Sequence, residues 1–412
     1  MGVVGVDRIS RLPDALLHYI LCFLPTKCAV CTSILSTRWR SVWVSIPILD
    51  FRKWRSHTTS TATVEDYDLE NEIFMNFLDR ILNLGDMPNI QKFYLHSEIH
   101  FDESRVNAWI SSVIRRKVQE LNVSLYGDNL LPPCFFTCES LTMLDLNLDA
   151  VLYLPESISF PRLKFVRLTF IQFIDENLTQ QFFSSCPVLE ELIMAYCSWI
   201  NMNVVSISAP TLKCLFFDVP SVDGSDALDN CRVKINAPSL LSLRYCECVA
   251  KDYVLPSFPS LVNAEIDLMF LDDCLLTREE IGYSASKLLG RLSNVKLLTL
   301  SGTTFKALSF ADDPLTNLPT FYNLIHLEVS LMFPCSANGT LLEFLQIAPN
   351  LESLVFVEGF NQNISNGDDS WALNLMSPYL LLHLKSEEQS YGAATNVSKR
   401  LRKLCSQVLV KH

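Results

Sequence analysis

From residue 90 onward the chain repeats one arrangement of apolar positions: an anchor, an apolar residue three positions later, and another two after that. Leu141-Thr142-Met143-Leu144-Asp145-Leu146 and Leu324-Ile325-His326-Leu327-Glu328-Val329 are examples. The anchors are Ile90, Val118, Leu141, Leu163, Leu189, Leu212, Leu240, Leu261, Val295, Leu324 and Leu351, spaced 21 to 34 residues apart. Alternating apolar residues turn one face of a short strand inward, and stacked units then form a parallel sheet with a continuous core. Helical stretches over Glu70–Leu84, Arg105–Arg116, Glu176–Ser185 and Arg278–Leu292 precede several anchors and are expected to form an outer layer. Proline stands two residues before many anchors, at Pro161, Pro187, Pro210, Pro238, Pro259 and Pro349, and marks the entry into each strand.

The first fifty residues carry a different period. Leu12, Leu16, Ile20 and Leu24 recur every fourth position with Leu17 and Leu21 beside them, a wide apolar stripe on a helix that opens at Pro13 and stops at Pro25. A second helical stretch carries Val30, Ile34 and Leu35, and a third carries Trp39, Val42 and Trp43. Three short helices make a small core, so the stripe is expected to need a partner. Residues 52–68 are polar and Thr-rich and read as a linker or exposed loop. The predicted organisation is a helical unit over 7–51, this linker, a repeat unit over 69–357 and a divergent tail over 358–412.

Composition narrows the function. Apolar residues make up 49% and charged residues 19%, too apolar for a disordered chain, and no apolar run reaches the length of a membrane span. The formal charge of −12 disfavours nucleic acid as a partner. The opening MGVVGVDRIS resembles neither a secretory signal nor a transit peptide, so an intracellular site, nucleus or cytoplasm, is expected. In that compartment most of the fourteen cysteines should be buried thiols.

Candidate chemistry is sparse. Cys28 and Cys31 have CxxC spacing but no second ligand pair, and lie where a helix wants small apolar residues. His96 and His100 flank Glu98 without a third ligand pattern. No nucleophile, phosphate-loop or zinc-protease motif occurs. We expect no catalytic residues, no metal and no cofactor. The residues two, four and six after each anchor should instead line the open sheet face. Phe165, Arg167, Ile193, Phe216, Arg244 and Glu265 form its candidate recognition strip, because aromatic, apolar and Arg groups on an open face are typical of interface anchors.

The N-terminal residues resemble the plant F-box, whose pattern stands here as Leu12-Pro13, Leu24-Pro25 and Leu35-Ser36-Thr37-Arg38-Trp39-Arg40-Ser41-Val42-Trp43. The repeat resembles the leucine-rich repeat, and Cys186-Pro187-Val188-Leu189-Glu190-Glu191-Leu192 is similar to plant F-box proteins that carry it. Its usual Asn or Cys turn position is held by Cys197 and Cys248, with Asp149 and Thr303 as stand-ins. Residues Asn323–Val357, Trp371 and Leu382–Lys385 resemble an FBD domain that is incomplete beyond Lys385. The basic cluster Lys399, Arg400, Arg402 and Lys403 reads as a solvated helix face.

The resemblance implies an α/β fold: a three-helix F-box followed by a curved leucine-rich-repeat solenoid, with the parallel sheet concave and the helices convex. It implies docking on the Skp adaptor, and through it on a cullin, by Leu12, Pro13, Leu16, Ile20, Leu21, Leu24 and Pro25. It implies a substrate-recruiting subunit of a ubiquitin ligase, with a target protein as the other partner. A hormone-like small-molecule receptor and a scaffold without a ligase are the alternatives.

Overall fold

A computed structural model describes residues 9, 12–52, 54, 64–84, 90–127, 131–218, 228–270, 274–311, 318–330 and 338–357. The tail over 358–412, with its FBD landmarks and basic cluster, lies outside the described residues, as does most of the 52–68 stretch. The chain divides into two compact units between Ile171 and Gln172.

The first unit opens with α1 (Asp14–Leu21), α2 (Thr26–Cys31) and α3 (Trp39–Val42). It continues through β1 (Ile48–Phe51), α4 (Val64–Asn83), β2 (Lys92–His100), α5 (Glu103–Arg115), β3 (Glu120–Tyr126), β4 (Met143–Val151) and β5 (Phe165–Phe173). The strands lie side by side in chain order, with β1 to β4 parallel. Two expectations change here. The sheet begins inside the 7–51 stretch, because Ile48–Phe51 pairs with Lys92–Leu95. Helix α4 begins at Val64, within the stretch read as linker. An aromatic cluster explains both: Phe51 packs edge-on to Phe74 and Phe77, and Trp54 lies 4.8 and 5.2 Å from the same rings. Apolar packing here overrides a polar local sequence.

The second unit contains α6 (Glu176–Ser184), β6 (Glu191–Ala195), β7 (Ser198–Trp199), β8 (Val204–Ser208), β9 (Cys214–Asp218), β10 (Arg232–Asn236), β11 (Ser242–Cys248) and β12 (Asp252–Val254). It ends with β13 (Asn263–Met269), α7 (Arg278–Leu289), β14 (Leu297–Ser301), α8 (Gly302–Leu308), β15 (His326–Ser330), α9 (Asn338–Gln346) and β16 (Ser353–Val357). Its main parallel sheet runs β6-β9-β11-β13-β14-β15-β16. The row Leu192, Leu215, Leu243, Ala264, Leu298 and Leu327 shares one register and is buried. Each buried leucine contributes about 1.5–3 kcal/mol.

All eleven anchors are buried, and the prolines before them acquire a reason. The amide of Leu163 bonds to the carbonyl of Phe160, that of Leu212 to Ala209, and that of Leu240 to Ala237, at 3.1–3.3 Å. These are four-residue turns with Pro at the second position, where its fixed φ is already correct. Each turn delivers its anchor to the core and points the next two amides at the preceding unit. The N–H groups of Lys213 and Cys214, for example, both donate to the carbonyl of Glu190.

A second parallel sheet, β8-β10-β12, was not anticipated. Its signal is the echo of Val205-Ser206-Ile207-Ser208-Ala209-Pro210 in Val233-Lys234-Ile235-Asn236-Ala237-Pro238. The turn positions also need one correction. Cys197 is buried and its thiol donates to the Ala195 carbonyl at 3.7 Å, as a turn residue should. Where Thr303 was the expected stand-in, it is Thr304 that accepts from the Leu268 amide and donates to the Ile266 carbonyl. Thr303 bonds the Asp267 carboxylate instead.

Candidate functional site

Two surfaces carry exposed recognition chemistry, one in each unit. On the first, α1 splits its apolar stripe. Leu17 and Leu21 are 0% and 1% exposed and join the small core with Ala29, Trp39, Val42, Trp43 and Ile46. Leu16, Ile20 and Leu24 face outward. Leu12 is half-buried, Pro13 exposed and Pro25 half-buried. Leu21 is therefore removed from the expected docking face, because its position on the helix buries it in this core. The face gains residues that the four-residue stripe missed: Tyr19, Phe23 (71% exposed), Ile34 (86% exposed) and Leu35. Tyr19 and Phe23 sit one helical turn apart with their rings edge-to-face at 5.0 Å.

The arginine of the Leu-Ser-x-Arg motif shapes this face. Arg38 donates to the Leu12 carbonyl at 2.5 Å and to the Asp14 carboxylate at 2.5 and 3.0 Å. It ties the residue before α3 to the Leu-Pro turn that opens α1. Cys28 and Cys31 lie exposed on α2. Among the described residues no three His, Cys, Asp or Glu side chains converge as metal ligands, and the twelve described cysteines are free thiols. Burial pushes the thiols of Cys186, Cys231 and Cys248 up to about 12, which keeps them protonated and inert.

The sheet face of the first unit carries several internal polar pairs. Arg167 lies 3.8 Å from Asp145, which accepts from the Asn122 amide at 2.8 Å, and its guanidinium rests over the Phe165 ring. Burial raises the pKa of the Asp145 carboxyl and Arg167 pulls it back. The Tyr94 phenol donates to Glu120 at 2.9 Å, and burial with that bond pushes it up to about 12.

The second unit brings the other four candidates together. Ile193, Phe216, Arg244 and Glu265 occupy one register row on successive strands, and the row continues through Thr299, Glu328 and Val355. Arg244 is held between Asp218 at 3.5 Å and Glu265 at 3.2 Å. A recess of about 290 Å³ opens beside it, lined among others by Phe216, Arg244, Glu265, Thr299, His326 and Glu328. The last three were legible by the same rule of two, four and six, applied to the anchors Val295 and Leu324.

A model of the F-box domain matches residues 9–51. A model described as "FBD-associated F-box protein At5g56370, LRR repeats" matches residues 106–230. The chain is 32% identical over 364 residues to the Arabidopsis thaliana F-box/LRR-repeat protein At4g14103, covering 85% of this chain and 91% of the relative. F-box/LRR-repeat protein At3g59190 of the same plant is 31% identical over 366 residues, covering 85% and 92%. FBD-associated F-box protein At4g10400, also from Arabidopsis thaliana, is 29% identical over 384 residues, covering 92% and 84%. Among solved structures, the crystal structure of a TLR13–ssRNA13 complex aligns with a TM-score of 0.25 at 14% identity, over 65% of this chain and 41% of that one.

Proposed function

The chain belongs to the plant F-box/LRR-repeat protein family, and from that premise we propose that it is the substrate-recruiting subunit of an SCF-type cullin ubiquitin ligase. The N-terminal helices dock on the Skp adaptor, which links them to the cullin. The repeat units hold a target protein beside a ubiquitin-charged conjugating enzyme. The chain performs no chemistry itself in this reading. It raises the local concentration of target lysines at the enzyme that does.

The observation that carries the reading is the face of α1. Leu16 and Ile20 stand outward on a helix whose other side already fills the small core, and Phe23 and Leu24 stand outward in the turn that follows it. A stripe of this kind in so small a unit is stabilised by a partner's apolar surface. For the repeat units, a recess of about 290 Å³ with a charged lining suits a protein segment.

The test is capture of the full chain by a purified Skp-type adaptor. Leu12→Ala with Pro13→Ala, and separately Leu16→Asp with Ile20→Asp, are each expected to weaken capture at least about tenfold. Tryptophan fluorescence from Trp39 and Trp43, both in the core, reports whether the helices remain folded. Unchanged capture by folded variants would overturn the assignment.

A further inference from the structure

The open sheet face of the second unit is short of cations. Glu191, Asp218, Glu265, Asp267 and Glu328 all stand on outward positions of its strands. The same positions offer one arginine, Arg244, so the face carries five carboxylates against one guanidinium. Arg244 is already engaged by Asp218 and Glu265. Among the described residues Glu328 has no ion-pair partner.

The geometry sets where a further cation fits. Glu265, Thr299 and Glu328 are consecutive on one register row. Parallel strands lie about 4.8 Å apart, so the two carboxylates flank a gap of roughly 10 Å at the backbone, floored by a short threonine. The recess extends across this gap, where Leu297 forms an apolar wall, and runs past Arg244 to Phe216 at its far end. A long side chain with a cationic tip suits such a site: its methylenes pack on the walls and its head meets both carboxylates. An acidic segment, or a nucleic acid, would meet repulsion on the same face.

We propose that this face takes a lysine- or arginine-bearing segment of the recruited protein, with one cationic side chain seated between Glu265 and Glu328. The inference rests on the reading that the repeat units receive the target, and it adds the chemical class of that target. Long-range attraction to the acidic face speeds the encounter, and the recess fixes the register of the bound segment.

Fluorescence anisotropy on the full chain tests this, with a labelled Arg-Ala repeat peptide and a labelled Glu-Ala repeat peptide as probes. The wild type is expected to bind the first and not the second. Glu265→Gln with Glu328→Gln should weaken binding about tenfold or more. Glu279→Gln removes an exposed charge from α7 and should leave binding unchanged. Equal binding by the Glu265/Glu328 variant, or equal loss from Glu279→Gln, overturns the proposal, the latter by showing general attraction to an acidic chain.

Target capture separates the two layers of the argument. If Phe216→Ala loses captured targets while the carboxylate variant keeps them all, the sheet face is the docking surface and the basic class is wrong. If neither variant alters capture, docking on this face fails and the inference falls with it.

Discussion

Replacing Glu247 by Gln is expected to stabilise the second unit at pH 8 by on the order of 4 kcal/mol and to flatten its pH dependence between about pH 5 and pH 8. Glu247 is 4% exposed near the end of β11, on the inward side with Leu243 and Tyr245. Burial pushes its carboxyl from 4.5 to about 8, and the hydrogen bond it accepts from the Cys248 amide at 2.9 Å offsets only part of that. The folded state therefore holds a proton that the unfolded chain releases near pH 4.5. The stabilisation tied to that proton is fully present below pH 4.5 and is lost as pH rises through about 8. Over that span, at ~1.36 kcal/mol per pH unit, the loss approaches 4–5 kcal/mol. Gln keeps the shape without the charge. The groups around it do not titrate in this window: burial raises the pKa of the Tyr245 and Tyr253 phenols, and the Cys248 thiol sits at about 12. Urea unfolding at a series of pH values checks the prediction. Wild type and variant should agree near pH 5 and diverge above it, and parallel curves across the series would refute it.

Glu247 also marks where the sequence stopped being readable. The anchors, the strand faces and the main helices follow from a local period of apolar residues, and burial enforces that period on every unit. Arg244 and Glu265 were legible as face residues for this reason. What depends on a neighbouring unit was not legible. The sheet β8-β10-β12 is held by strands from separate repeats, each five residues or fewer, and their alternation falls outside the main repeat period. Thr303 and Thr304 differ only in which one the turn sends inward. Leu21 shares its spacing with Leu17, and only the packing of the three helices decides that both are core. The start of α4 at Val64 depends on aromatic packing by Phe74 and Phe77, ten or more residues downstream. The exposed face of α1 was thus half visible: its stripe by period, its aromatic border of Tyr19 and Phe23 only once the inward side was known.

The same dependence on neighbours makes Gly282 critical, and Gly282→Ala is expected to destabilise the second unit by about 3 kcal/mol or more. Glycine in a helix interior normally costs ~1 kcal/mol relative to alanine, so local propensity alone predicts the opposite sign. The position in α7 decides otherwise. A Cβ at Gly282 would stand 2.3 Å from the Ala311 nitrogen, 2.7 Å from the Phe310 carbonyl carbon and 2.9 Å from the Ala311 Cα. All three are backbone atoms, which cannot rotate away as a side chain would. Glycine lets α7 approach the turn that closes α8, and Arg278 resting over the Phe310 ring holds the crossing from the side. The turn is itself anchored, with the Ala311 amide bonded to the Leu308 carbonyl at 3.1 Å. Forcing the crossing apart displaces α8, and α8 carries Thr304, whose hydroxyl bonds the backbone of β13 at Ile266 and Leu268. Strand β13 presents Glu265, so the variant is expected to weaken the proposed cation recess as well as lower the melting temperature. Tyr283→Ala, at an exposed neighbour on the same helix, supplies the control and should melt with the wild type. A Gly282→Ala protein that melted with them would show that α7 and the end of α8 do not make this close approach.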